Sequence, residues 1–336
     1  MRADEISDQV NTLYIGGGTP SVLPLSVYED ILSALKETGH GGPFEEFTVE
    51  VNPEDIVEKG TDYVKGLLGF GVNRISMGVQ SFDDNILRFM NRRHDAETAR
   101  KAYSILEESG VKNISIDLIF GLPQMTDDVW KDTLRSALNI SPSGKKPQHI
   151  SSYQLSVEPG SALARMVEKG LWSEASEEHC RRQYDILCQA LAEVGYDHYE
   201  ISNFALPGHQ ARHNSAYWRH VPYVGFGPGA HSFLLGETQG RARRIWNLPD
   251  LKKYIEDPTS VQDGETLTDE QLDIERIMLA LRTSRGISDD FLRKHCGERV
   301  VDHALASGDL VCTGSSSLRI PESRFFVSDT IIASLI

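Results

Sequence analysis

The chain has 336 residues, of which 40% are hydrophobic and 25% charged, and it carries a formal net charge of −15. These proportions are typical of a soluble globular protein, and the strong acidity disfavours nonspecific nucleic-acid binding, which requires a basic surface. No apolar run approaches the roughly 18 residues of a membrane span, and no signal peptide is recognised at the N-terminus. The length predicts one large domain and one small one. The few, scattered cysteines indicate reduced thiols and a cytoplasmic protein.

Strands and helices alternate over the first half of the chain. Five strands are predicted, at Thr12–Ile15, Phe47–Val51, Arg74–Val79, Asn113–Phe120 and His149–Val157. Amphipathic helices are predicted between them, at Ser26–Thr38, Asp55–Phe70 and Ala96–Ser109. This alternation indicates βαβ units and a parallel sheet, and apolar runs such as ISIDLIFG predict strands that are buried on both faces.

The stretch NTLYIGGGTPSVLP, from Asn11 to Pro24, runs a strand directly into three glycines. Glycine lacks a Cβ atom, so a ligand can approach the bare backbone, and the following Thr-Pro is suited to opening a helix. The pattern is neither G-x-G-x-x-G nor a P-loop, so neither nucleotide fingerprint applies. The other predicted strands also end in polar residues, and the ends of parallel strands converge on one cleft. We therefore expect Glu50, Gln80, Asp117 and Gln154 to lie near this cleft.

The second half of the chain has a different sequence pattern. A helix at Glu177–Val194 and a strand at Tyr196–Phe204 are predicted before the segment HNSAYWRHVPYVGFGPGAHSF, which is rich in glycine, histidine and aromatic residues. From Thr268 the order is three helices and then two short strands around TGSSS, a winged-helix pattern. Residues 269–336 hold 8 Lys and Arg against 11 Asp and Glu, whereas a wing that reads DNA is basic. We expect a structural or docking domain that binds no nucleic acid.

Five motifs occur in a characteristic order: GGGTP, VEVNP, NRISMGVQSF, NRRH and SIDLIFGLPQMT. In this order and spacing the chain resembles the radical S-adenosylmethionine (SAM) family, in the branch that contains oxygen-independent coproporphyrinogen III oxidase and the haem chaperone HemW. The resemblance implies an α/β fold with an incomplete parallel (β/α)6-type barrel, whose first strand is missing, and a C-terminal winged-helix-like domain. The expected domains are a partial barrel at 1–160, a family-specific extension at 161–260 and the winged-helix-like domain at 261–336.

The resemblance also implies an S-adenosylmethionine site in the barrel. The backbone around Gly17, Gly18 and Thr19 would meet the amino group of the methionine moiety, and Glu50 would lie near the same end. Arg92 would hold the carboxylate, a task that suits a planar guanidinium.

Two further residues complete the implied site, on the ribose side. Gln80 and Asp117 would bind the ribose hydroxyls, for which a carboxylate is a natural acceptor.

The sequence departs from this family in one respect. The C-x-x-x-C-x-x-C motif that binds the family's 4Fe–4S cluster does not occur, and the four cysteines are scattered at positions 180, 188, 296 and 312. Three closely spaced thiolates are the minimum for such a cluster, so the chain as given is expected to bind none. It is either a fragment of a longer protein or a family member without the cluster. Radical enzymatic activity of this chain is therefore left open.

The segment HNSAYW matches the H-N-x-x-Y-W signature of HemW-type proteins. This resemblance makes His213 a candidate axial ligand of haem iron, with Tyr217 and Trp218 lining the porphyrin and His231 as a second candidate. The predicted function is therefore a haem chaperone that passes haem to an unidentified acceptor protein. The alternatives are an oxygen-independent coproporphyrinogen III oxidase of porphyrin biosynthesis, which decarboxylates propionates through a radical, and an inactive remnant.

Overall fold

The structure, a computed structural model of the chain, describes residues 5, 6, 9–236, 242–314 and 316–336. The chain folds into two compact units: Val10–Ala211, and Arg212–Ile336 together with the N-terminal residues before Val10. The proposed division at 160 and 260 stays a prediction.

The first unit is built on a seven-stranded sheet. In chain order the strands are β1 (Thr12–Ile15), β2 (Glu46–Val51), β3 (Arg74–Gln80), β4 (Ile114–Phe120), β5 (His149–Gln154), β6 (Asp197–Glu200) and β7 (Asn203–Ala205). Their spatial order is β1-β2-β3-β4-β5-β7-β6, and the first five are parallel to one another. This is the predicted α/β fold, an open and curled half-barrel in place of a closed one.

Seven helices lie between the strands of this unit in the described residues. They are α1 (Leu25–Glu37), α2 (Pro53–Gly69), α3 (Asp84–Phe89), α4 (Ala96–Glu108), α5 (Asp127–Leu138), α6 (Ala162–Glu168) and α7 (Glu177–Ala192). Five of these seven helices begin at a side chain that accepts a hydrogen bond from the first turn, namely Asp83, Asp95, Thr126, Ser161 and Ser176. Such caps satisfy backbone N–H groups that the helix itself leaves unbonded.

The central strands are buried on both faces, as predicted, but the two faces differ in composition. One face is apolar and buried: on β4, for example, Ile116 is fully buried, and Phe120 contacts the rings of Trp130 and Tyr184 on α5 and α7. The register of the strands places polar side chains opposite one another on the other face, namely Thr48, Glu50, Arg74, Ser76, Ser115, Asp117, His149 and Ser151. The helices cover the apolar face. On the polar face most of these side chains are also buried, and Glu50 and Asp117 are the half-buried members that a ligand could contact.

The predicted single strand at Tyr196–Phe204 is wrong. The segment forms an antiparallel hairpin, β6 and β7, because side chains hold a turn in its middle. Glu200 Oε2 accepts a hydrogen bond from the Ser202 amide at 3.2 Å, and the Tyr184 hydroxyl donates to the Ile201 carbonyl at 2.8 Å.

The second unit begins with α8 (Arg212–Trp218) and a small antiparallel sheet. Its strands are β8 (His231–Leu234), β9 (Ala242–Asn247) and β10 (Gln262–Leu267), in the spatial order β10-β9-β8, with α9 (Leu251–Glu256) between β9 and β10.

The remainder of this unit has the predicted winged-helix order. The elements are α10 (Asp269–Ala280), β11 (Ile287–Ser288), α11 (Asp289–Cys296), α12 (Glu298–Ala306), β12 (Val311–Thr313), β13 (Ser317–Arg319) and α13 (Ser328–Leu335). The strands pair in the order β11-β13-β12. Ser315, in the predicted hairpin, lies outside the described residues.

Candidate functional site

The glycine loop follows β1 as predicted, and its three glycines have different roles. Gly17 has a φ of 86°, a conformation that side chains disfavour. A Cβ atom on Gly17 or Gly18 would meet no atom within 4 Å, so both present exposed backbone to open space. A Cβ atom on Gly16 would collide with the Tyr14 ring and lie 2.7 Å from the carboxyl carbon of Glu50. Gly16 is therefore required for packing, and Gly17 and Gly18 leave backbone available for a ligand.

Glu50, near the end of β2, fixes this loop. Its Oε2 atom accepts a hydrogen bond from the Gly17 amide at 3.0 Å, and its Oε1 atom accepts one from the Tyr14 hydroxyl. Burial and the neighbouring Glu50 charge raise the pKa of Tyr14, so this hydroxyl stays a donor at neutral pH. Because both oxygens are engaged, the carboxylate is held beside the exposed glycine backbone.

Asp117 lies on the polar face of β4. The Ser76 hydroxyl of β3 is 3.1 and 3.2 Å from its two carboxylate oxygens. Burial raises the pKa of Asp117 to about 6, although hydrogen bonding from Ser151 and the charge of Arg74 act in the opposite direction. Asp117 can therefore accept hydrogen bonds, and its carboxyl group changes from neutral to ionised just below neutral pH.

Gln80 ends β3 in a strained turn. Its φ is 66°, in the left-handed region that non-glycine residues avoid. The Val79 carbonyl accepts a hydrogen bond from the Ser81 amide at 2.8 Å, which closes a γ-turn around Gln80 of the rare, strained type. Gln80 is placed opposite Leu118 on β4, one residue beyond Asp117. The backbone thus brings Gln80 to the same end of the sheet as Asp117.

Arg92 and Arg93 follow α3 and have different surroundings. The Arg93 guanidinium pairs with Glu54 at 2.9 Å and with Asp55 at 3.1 Å. The half-buried Arg92 side chain has no hydrogen-bond or ion-pair partner among the described residues. Burial lowers the pKa of Arg92, although the charge of Glu54 acts in the opposite direction. Of the two neighbours, Arg92 is the guanidinium that can receive a carboxylate.

The candidate haem ligands lie in the second unit. His213 and Tyr217 are one turn apart on α8, with His213 Nε2 3.0 Å from the Tyr217 hydroxyl and the rings at 87° to one another. Trp218, on the same short helix, is half-buried. The exposed His231 ring on β8 stacks on Trp246 at a centroid distance of 6.2 Å. His213 thus contacts Tyr217, as a shared site requires. His231, within the described residues, instead contacts the Trp246 ring.

Sequence reasoning missed the residues that hold the cleft together. Tyr14, Ser76 and His94 were not predicted, although each lies within or beside a recognised motif. For Ser76 the sequence did contain a signal: polar and apolar residues alternate from Arg74 to Ser76. This alternation places the polar side chains on one face of an otherwise apolar strand.

Comparison with known proteins identifies the family. The sequence model of the Radical SAM superfamily matches residues 1–137. The chain is 35% identical over 282 residues to the "Heme chaperone HemW" of Lactococcus lactis subsp. lactis, covering 83% of this chain and 71% of that protein. The chain belongs to the HemW-like branch of the radical SAM superfamily.

Two other comparisons define this membership further. The "Heme chaperone HemW" of Synechocystis sp. is 34% identical over 280 residues, and the match covers 83% of this chain and 66% of that protein. The chain therefore spans about two thirds of the length of this relative. Coproporphyrinogen III oxidase (HemN) from Escherichia coli, described as a radical SAM enzyme, superposes with a TM-score of 0.77 at 19% identity. The superposition covers 97% of this chain and 78% of the HemN chain. It shows that this chain has the HemN-like radical SAM fold.

Radical SAM proteins use S-adenosylmethionine with a 4Fe–4S cluster, and the described residues fit these two groups differently. Exposed backbone at Gly17 and Gly18, an unpaired guanidinium at Arg92 and an acceptor at Asp117 suit the amino-acid and ribose parts of S-adenosylmethionine. Across the described ranges, no group of three or more His, Cys, Asp or Glu side chains could hold a metal ion, and no cysteine is in a disulfide. Within these ranges the residues therefore supply no ligand set for a cluster. No helix in the described residues is long and apolar enough to cross a membrane.

Proposed function

We propose that this HemW-like protein binds haem and passes it to an acceptor protein. The observation that carries the proposal is the match to proteins named heme chaperone HemW at 34–35% identity, which extends over 83% of the chain. The coproporphyrinogen oxidase alternative is supported by the HemN-like fold alone. The acceptor is unidentified, and we place the transfer in the cytoplasm.

The haem site that we propose is centred on His213. An imidazole is a good axial ligand of haem iron, and a hydrogen bond to one ring nitrogen determines the orientation and tautomer of the ring. The Tyr217 hydroxyl makes such a bond with Nε2 at 3.0 Å, and Tyr217 is 39% exposed, so the pair lies at the surface.

Neighbouring groups suit the rest of the haem molecule. Trp218 and the exposed ring of Tyr217 provide aromatic surface for the porphyrin. Arg212 and Arg219 flank the motif and are exposed, so we assign them to the two propionates.

We further propose that the first unit binds S-adenosylmethionine. Gly17 and Thr19, beside Glu50, would receive the ammonium end of the methionine moiety, and Arg92 would receive its carboxylate. Gln80 and Asp117 would hold the ribose hydroxyls. When bound to a cluster, this cofactor supplies a 5′-deoxyadenosyl radical. The described residues do not form a cluster site, so we propose no radical step.

Titration of haemin into the protein tests the haem proposal. We expect a shifted Soret band that saturates at about one haem per chain, since one short helix supplies the proposed ligand. His213→Ala should weaken binding or change the spin state of the iron, and His231→Ala should have a smaller effect. His303→Ala, which removes an exposed histidine from α12 in the same unit, is the control. A diffuse spectrum in the unmodified protein, or a His213→Ala spectrum like that of the control, would contradict the proposed ligand.

A further inference from the structure

His94 is a buried histidine beside the proposed S-adenosylmethionine cleft, between α3 and α4, and its side chain is only 1% exposed. Its Nδ1 atom is 3.2 Å from Glu54 Oε2, at the start of α2, and its Nε2 atom is 3.0 Å from the Val79 carbonyl oxygen on β3. The ring therefore connects a helix start to the residue immediately before Gln80.

The nature of these two partners determines the charge of the ring. A carbonyl oxygen only accepts hydrogen bonds, so Nε2 carries a proton and donates it to Val79. A carboxylate also only accepts, so the ring form that satisfies both contacts is the imidazolium, with Glu54 as its counter-ion and the Arg93 guanidinium on the other carboxylate oxygen.

His149, on β5, has partners that do not require a charged ring. Its two nitrogens face the hydroxyls of Ser115 and Tyr199, each at 2.8 Å. A hydroxyl can donate or accept, so a neutral ring satisfies both contacts. Burial lowers the pKa of His149 well below its ordinary value, in agreement with a neutral ring.

The Val79 carbonyl is the point at which His94 acts on the cleft. This oxygen also accepts a hydrogen bond from the Ser81 amide, and that bond closes the strained γ-turn around Gln80. The Gln80 side chain lies back over Gly78, where an added Cβ atom would be 2.9 Å from Gln80 Nε2 and 3.4 Å from Asn52 Oδ1. A charged donor on the Val79 carbonyl strengthens the polarisation of that peptide group and holds its orientation.

We propose that His94 is a positioning residue for Gln80: its imidazolium, held by Glu54, locks the Val79 carbonyl and thereby the γ-turn that presents the Gln80 amide to a ribose. The identity of the ribose rests on the S-adenosylmethionine site proposed above. The locked turn itself belongs to the free protein and can be measured without a ligand.

The first measurement uses the ligand-free protein at pH 7. Nitrogen-15 NMR of the histidine rings should show two protonated nitrogens for His94 and one for His149. Amide hydrogen exchange at Ser81 should be about tenfold faster in His94→Gln, whose neutral amide has both N–H donors on one nitrogen and cannot replace the two opposed ring nitrogens, than in the unmodified protein. The matched control His149→Gln also removes a buried ring with two hydrogen bonds, and it should leave Ser81 exchange unchanged. A neutral His94 ring, or equal Ser81 exchange in both variants, would overturn the proposal.

The second measurement is S-adenosylmethionine affinity by calorimetry. His94→Gln should weaken binding about tenfold, and this loss should disappear when Gln80 is already alanine, because the two residues act as one unit. An additive loss in the double variant would overturn the positioning role. If the unmodified protein binds no S-adenosylmethionine while the NMR and exchange results hold, the proposed cofactor fails and the locked turn stands. If His94→Gln does not fold, Glu54→Gln keeps the ring and removes its counter-ion. It should then release the second ring proton and speed Ser81 exchange, and an unchanged ring would count against the proposal.

Discussion

Replacing Arg92 by methionine separates ligand binding from folding. Methionine keeps an apolar stem of similar length and removes only the guanidinium, which has no partner among the described residues. A charge-assisted hydrogen bond to a ligand contributes about 1.5–3 kcal/mol, so losing it should raise the dissociation constant of S-adenosylmethionine about 10- to 100-fold. No native ion pair is lost with Arg92, and its burial already disfavours the charge. The free energy of unfolding should therefore stay within about 0.5 kcal/mol of the unmodified value or rise.

The adjacent Arg93→Met is the matched control, because it removes the same group one residue later. Arg93 pairs with Glu54 and Asp55, so this variant should lose a little stability and should change affinity much less than Arg92→Met does. Calorimetry gives the dissociation constants, and urea unfolding gives the stabilities. The assignment of the carboxylate to Arg92 is refuted if Arg92→Met binds as tightly as the unmodified protein, or if Arg93→Met is the variant that loses binding.

Three further predictions concern the same chain. The raised pKa of Asp117, about 6, means that its ionised form becomes less favourable on folding, so its contribution to stability is lost as the pH rises from about 4 through 6. Ribose binding needs the ionised form, so S-adenosylmethionine affinity should rise as the pH rises through about 6 and should be nearly independent of pH in Asp117→Asn, as measured by calorimetry between pH 5 and 7. Gln80→Gly should raise the free energy of unfolding by about 1 kcal/mol, since glycine adopts a positive φ without strain, and should weaken ligand binding; a destabilised variant in urea unfolding would show that the turn is not strained. Anaerobic reconstitution with iron and sulfide should leave no stoichiometric cluster on this chain after desalting, and a cluster that survives desalting would contradict the argument from its four scattered cysteines.

The order of strands and helices could be predicted because each signal is local. The strand Thr12–Ile15 and the start of the helix at Ala96 follow from apolar periodicity, and the structure confirms them. The exposed glycine backbone at Gly17 follows from the absence of a Cβ atom.

Contacts between distant segments could not be predicted in this way. In the γ-turn at Gln80, the Val79 carbonyl also accepts a hydrogen bond from His94, which lies 14 residues after Gln80 in the sequence and whose partner Glu54 comes from a third element. The turn between β6 and β7 depends on Tyr184 of α7, so local apolar pattern alone suggested one continuous strand. The polar face of the sheet became evident only when the register placed Asp117 opposite Ser151.

Hydrogen exchange with mass spectrometry, with haemin or S-adenosylmethionine added separately, tests whether one chain binds each ligand on a different unit. We expect haemin to slow exchange in peptides around α8, which contains His213 and Tyr217. S-adenosylmethionine should instead slow exchange in peptides that contain Gly17, Gln80 and Arg92. Protection of the same peptides by both ligands, or no protection around α8 by haemin, would contradict two separate sites.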